Sequence, residues 1–129
     1  MQRRSLSALF ALSLLGFSSL AQALEIRPFD AAVFARLQGA GKPVALHFHA
    51  DWCPTCVNQS RALQQLEAAG QLPGLTVLVA DYDREKDLKR QHKVRSQSVL
   101  VVFKGGQEVA RSAGETQAAK LQQALAQAL

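Results

Sequence analysis

Apolar residues recur along this chain in two rhythms, as short unbroken runs and as stripes three or four residues apart. The runs VALHFH (44–49), LTVLVA (75–80) and VLVVF (99–103) each have the length of a buried strand. Helical stripes lie between them. Residues 29–38 set Val33, Phe34 and Leu37 on one helical face behind Asp30, a good N-cap, and Gly39, Gly41 and Pro43 end that helix. A second helix starts at Pro54, whose missing N–H costs nothing in a first turn. It carries Leu63, Leu66 and Ala69 at helical spacing and ends near Gly70. Residues 85–92 predict a short charged helix, and Gly105-Gly106 reads as a hairpin turn into a fourth strand near 107–112. Residues 115–128 close the chain with a helix that buries Ala118, Leu121, Leu125 and Ala128. The order α, β, α, β, α, β, β, α predicts an α/β fold: a mainly parallel sheet with helices on both faces and one antiparallel edge.

The first residues follow neither rhythm. Arg3 and Arg4 form a basic head, Leu6 to Leu20 carry no charge, and Ala21-Gln22-Ala23 supplies a small-x-small site. This pattern predicts a signal peptide over residues 1–23 and a mature domain over 24–129. The uncharged run, at about 15 residues, is short of the roughly 20 that span a bilayer. No cysteine follows it to take a lipid. With Arg3 and Arg4 gone, the 15 basic residues fall to 13 against 10 acidic ones, so the net charge drops from +5 to +3. The remaining bases concentrate between Arg84 and Arg95 among acids, a solvated helix surface with no aromatic platforms. A nucleic-acid partner is not expected.

Export sharpens the meaning of HFHADWCPTC (47–56), which holds both cysteines and two of the three histidines. Structural disulfides of exported domains staple long loops. Cys53 and Cys56 enclose two residues, so a bridge between them restrains the unfolded chain little. Their value is chemical. Two thiolates with His47 and His49 also make a reasonable donor set for Zn²⁺ or Cu⁺, the alternative reading, although a second CxxC or spaced ligand pair is missing. No glycine-rich dinucleotide loop is present, so no organic cofactor is expected.

The element order, with WCPTC joining a strand to a helix, resembles the thioredoxin superfamily. The likeness runs from Val44 to Gly114 and takes in the strand before the motif, the Asp83 turn and VLVVFKGGQEVARSAG. It implies a thioredoxin-like fold with a mixed sheet of four to five strands, and a monomeric thiol-disulfide oxidoreductase acting on protein disulfides. Cys53, at the mouth of a helix, is expected to be the exposed nucleophile, with its thiolate favoured by the helix N-terminus. Cys56, one turn in, resolves the mixed disulfide. Trp52 walls this corner, while Pro54 and Thr55 tune the potential. The Pro-Thr pair is similar to that of periplasmic reductases of cytochrome c maturation. It points to reduction in the periplasm, with electrons from a membrane thiol donor. Oxidation of folding proteins is the opposite direction, for which the helical insertion common in disulfide-forming relatives has no room.

Three departures from the family surround the sulfurs. Ser98, after Gln97, stands where the family has a cis-proline. A cis bond without proline costs about 2.5–4 kcal/mol, so a trans Gln97–Ser98 peptide or a reshaped loop is expected. These two residues would meet the substrate. His47 replaces a buried aspartate whose lysine partner corresponds to Val79, and His49 replaces an aromatic residue. On a strand both imidazoles point the same way. His47 is then a candidate proton acceptor for Cys56, against a plainer reading as a core histidine. Asp51 and His92 are expected at the surface.

Overall fold

The computed structural model describes residues 23–129, so the expected signal peptide lies outside the described residues apart from Ala23. Five strands form one mixed sheet: β1 (Glu25–Pro28), β2 (Pro43–His49), β3 (Thr76–Asp81), β4 (Val99–Lys104) and β5 (Gln107–Ala113). Their order is β1-β3-β2-β4-β5. β3 pairs parallel with both β1 and β2, while β4 runs antiparallel to β2 and β5. The helices are α1 (Ala31–Gly39), α2 (Pro54–Ala68), α3 (Lys86–Gln91) and α4 (Ala118–Ala126).

The alternation of side chains along each strand sorts the core into two halves. Val44, Leu46 and Phe48 of β2 join Val99, Val101 and Phe103 of β4 in a cluster with Phe34 of α1 and Leu88 of α3. Ala45, Leu100 and Val102 point the other way, onto Ala62, Leu63 and Leu66 of α2 and Leu121 and Leu125 of α4. Helices therefore cover both faces. Each fully buried Leu, Val or Phe contributes about 1.5–3 kcal/mol by leaving water. His47 falls on the α2/α4 face by the same alternation, which brings it under the helix that begins at the cysteines.

α1 starts as its sequence predicts, with the Asp30 carboxylate accepting the Val33 N–H at 2.9 Å. β1 is absent from the sequence-based reading, because EIRP is a four-residue edge strand with one apolar side chain and a terminal proline. Neighbouring Leu24 is buried at 1% exposure, and its N–H donates to Gln71 O at 3.1 Å. Ala69, expected on the buried face of α2, is exposed; that face is Cys56, Gln59, Ala62, Leu63 and Leu66. His92 is half-buried rather than fully exposed. Its ring packs 5.1 Å from that of Phe103 and 5.9 Å from that of Phe34, and burial, with Arg111 nearby, lowers its pKa.

Candidate active site

The site is built where β2 leaves the sheet and α2 begins. Cys53 has extended backbone (φ −98°, ψ 110°), and its sulfur accepts the Cys56 N–H at 3.2 Å, so the thiol itself caps the helix. Pro54 occupies the first turn, where no N–H is needed. Both thiols are free, the dithiol form of the pair. Ser98 Oγ lies 3.3 Å from Cys53 Sγ and 2.9 Å from Cys56 Sγ, within hydrogen-bonding distance of both.

The two sulfurs differ in kind. Burial would push the Cys53 thiol up, but hydrogen bonds from Cys56, Ser98 and the backbone N–H groups of Cys56 and Thr55 outweigh it, and its pKa is lowered. Burial also raises the Cys56 thiol, and the bond it gives to Cys53 adds to the rise. Cys53 is therefore the sulfur that gives up its proton more readily, and Cys56 the one that keeps it. The expected exposure of Cys53 is corrected: it is 3% accessible, although Asp51, Trp52, Pro54 and Thr55 around it are all exposed. A substrate sulfur has to reach it past Trp52, Pro54 and the Ser98 segment. Trp52 is 60% exposed, and its indole N–H donates to Asp83 Oδ2 at 2.8 Å, which fixes the ring plane beside the motif. Tyr82, from the turn after β3, packs against the small buried cluster of Ala50, Cys53 and Cys56.

Ser98 meets both halves of the expectation for its loop. No cis peptide occurs among the described residues, and Ser98 takes a left-handed φ of +64°. Proline, fixed near −65°, cannot adopt that conformation. Gln97 is half-buried beside it.

His47 is 1% exposed, and its ring stands 5.5 Å from that of His49. Among the described residues no hydrogen bond joins it to Cys56, and its Nε2 has no partner. Burial, then the neighbouring His49, lower its pKa to about 4, with the Gln59 side chain pulling the other way. Moving a proton from the raised Cys56 thiol to such an imidazole runs uphill. The geometry thus gives the acceptor role no support. His49 is engaged elsewhere, its Nε2 2.8 Å from Asp51 Oδ1 and its Nδ1 3.2 Å from Ser60 Oγ. The two imidazoles line an open cleft of about 300 Å³ with Val79, the position of the missing lysine. Among the described residues no three His, Cys, Asp or Glu side chains gather as metal ligands.

Gln59 escapes the sequence reading. It is fully buried, and its Nε2 donates to Ser98 O at 3.2 Å and to Glu115 O at 2.8 Å, pinning the serine loop to α2. The signal was present: Cys56, Gln59, Leu63 and Leu66 share one helical face, so a polar residue interrupts a buried stripe. Gln59→Leu keeps the volume and removes both bonds, and should cost about 1–3 kcal/mol in urea unfolding. An unchanged midpoint would show that the loop needs no such pin.

Comparison with known proteins agrees with this geometry. The family model described as Thioredoxin matches residues 23–127. A thioredoxin-like protein of Synechocystis sp. is 36% identical over 89 residues, 69% of this chain and 84% of that protein. The bifunctional thioredoxin reductase/thioredoxin of Mycobacterium leprae is 35% identical over 85 residues, 66% of this chain and 18% of that longer protein. Among solved structures, Trxlp from Edwardsiella tarda superposes with a TM-score of 0.72 at 38% identity, covering 78% of this chain and 98% of that one.

Proposed function

The chain belongs to the thioredoxin family and is a thiol-disulfide oxidoreductase, and from that premise we propose that it reduces protein disulfides in the periplasm after export. The observation that carries dithiol exchange is the inequality of the two thiols, a lowered Cys53 at the helix cap and a raised Cys56 one turn behind. Cys53 attacks a substrate disulfide; Cys56 then attacks Cys53 and releases the reduced substrate. Trp52 and Pro54, exposed beside Cys53, and Gln97 and Ser98, on the loop that meets the sulfurs, are the proposed substrate contacts.

The direction rests on two features. The Cys-Pro-Thr-Cys sequence resembles that of periplasmic reductases, and the connections from α2 to β3 and from β3 to β4 hold a loop and the six-residue α3, with no inserted helical domain. A reductase in an oxidising compartment must be recharged from outside, and a membrane thiol donor meets that need. The protein is proposed to work as a monomer. The uncharged run and Ala21-Gln22-Ala23 support export, with processing after Ala23.

Acid-trapping of cells, alkylation of free thiols and intact mass measurement test the direction and the export together. The expected result is a mature chain beginning at Leu24 with Cys53 and Cys56 mostly reduced. A mostly oxidised pair would reverse the direction, and a chain that keeps residues 1–23 would overturn export by cleavage.

A further inference from the structure

Ser98 is held by its backbone on three sides. Its N–H donates to Phe48 O of β2 at 3.1 Å, and its carbonyl accepts from Gly114 N after β5 at 3.0 Å and from Gln59 of α2 at 3.2 Å. The residue is 2% exposed in a left-handed conformation that a side chain with a Cβ rarely keeps unless its surroundings hold it there. Glycine would adopt this backbone freely but would bring no hydroxyl. The hydroxyl stands between the two sulfurs, 3.3 Å from one and 2.9 Å from the other. A buried thiolate has lost the hydrogen bonds of water, and a neighbouring donor must replace them.

We propose that the Ser98 hydroxyl is a catalytic hydrogen-bond donor that serves the two sulfurs in turn, giving its proton's bond to whichever one carries the negative charge. The proposal rests on the reading of the site as a dithiol exchanger. In the reduced protein the Ser98 O–H and the Cys56 S–H both donate to the Cys53 thiolate, and the Cys56 sulfur, 2.9 Å from the same Ser98 oxygen, still holds its proton. Cys53 Sγ then bonds to one substrate sulfur as the substrate S–S bond breaks, and the expelled thiolate takes up the proton that Cys56 loses. With Cys53 now in a mixed disulfide, the hydroxyl turns to the Cys56 thiolate. That sulfur attacks Cys53 Sγ, and the second substrate sulfur leaves as a thiolate. Two electrons pass from the cysteine pair to the substrate, which ends as one thiol and one thiolate.

The surrounding groups leave the hydroxyl this role. The influences on both sulfurs are burial, each other, Ser98 and nearby backbone N–H groups. Tyr82 packs on the cluster that holds the pair, Gln59 Nε2 donates to the Ser98 and Glu115 carbonyls, and His47 bonds to neither sulfur among the described residues.

Ser98→Ala removes the hydroxyl and keeps the backbone demand; Ser98→Gly removes both. Thiolate absorbance against pH should show the Cys53 midpoint rising by about one pH unit in each, a roughly tenfold loss of thiolate below it. Alkylation there should slow about three- to fourfold, because the more basic thiolate is also the better nucleophile. A merely structural Ser98 would leave both titrations at the wild-type midpoint, and that result would overturn the proposal. If one variant fails to fold, the other decides. Exchange of the wild-type dithiol with a small aromatic disulfide separates the two readings. Exchange with unshifted variant titrations sinks the role of Ser98 alone, while shifted titrations without exchange support the hydroxyl's bond and sink the reductase.

Discussion

Cys53→Ser should bring disulfide reduction down to the uncatalysed background, while Cys56→Ser should stall the reaction halfway. The attacking species is a thiolate, and a serine hydroxyl stays protonated at any working pH, so no substitute nucleophile remains at the cap of α2. Cys56→Ser leaves Cys53 in place with its helix N–H donors, so the first exchange still proceeds. Without the second sulfur the substrate remains bound to Cys53 as a mixed disulfide. Intact mass after mixing with a disulfide-bonded protein reads the difference: a covalent adduct on Cys56→Ser and none on Cys53→Ser. The reverse pattern would exchange the roles of the two cysteines, and appreciable turnover by Cys53→Ser would remove the dithiol mechanism altogether.

The second large effect is on stability, and it belongs to His47. In the unfolded chain this imidazole takes a proton near 6.5; in the folded protein burial and His49 hold it unprotonated until about 4. Between these values the unfolded state binds more protons, so acid favours unfolding. The contribution is intact above about pH 6.5 and is lost as pH falls towards 4, where it amounts to about 3 kcal/mol. Against a total stability of about 5–15 kcal/mol that is a large share. His92, also lowered, adds in the same direction. Urea midpoints between pH 4 and 7 should fall with acid in the wild type and much less in His47→Leu. An equal slope in both would show that His47 takes its proton without loss of the fold.

Strands and helices with strong apolar rhythm were legible in the sequence because burial on both faces of a sheet demands them. β2, β3 and β4 are nearly continuous runs, and even the hairpin to β5 announces itself in Gly105-Gly106. β1 was not legible, since an edge strand is held by pairing to Thr76–Val79 rather than by its own side chains. The two cysteines and their unequal duties could be read from a CxxC at a strand–helix junction. What the sequence could not convey was which groups touch the sulfurs. Ser98 stands forty-two residues from Cys56 in the chain, and only the return of β4 beside β2 brings its hydroxyl to the pair. His47 shows the converse: its place on β2 was plain, yet its proton affinity depends on burial and on His49 together.

Leu24 sets an order of events. On the proposed cleavage after Ala23, the scissile bond adjoins a residue whose side chain is sealed in the core and whose N–H is already committed to Gln71. A peptidase must take that stretch of chain into its own cleft, which the finished domain forbids. If the chain is cut there, processing would have to run ahead of folding, because a precursor that folded first would hide its own cutting site.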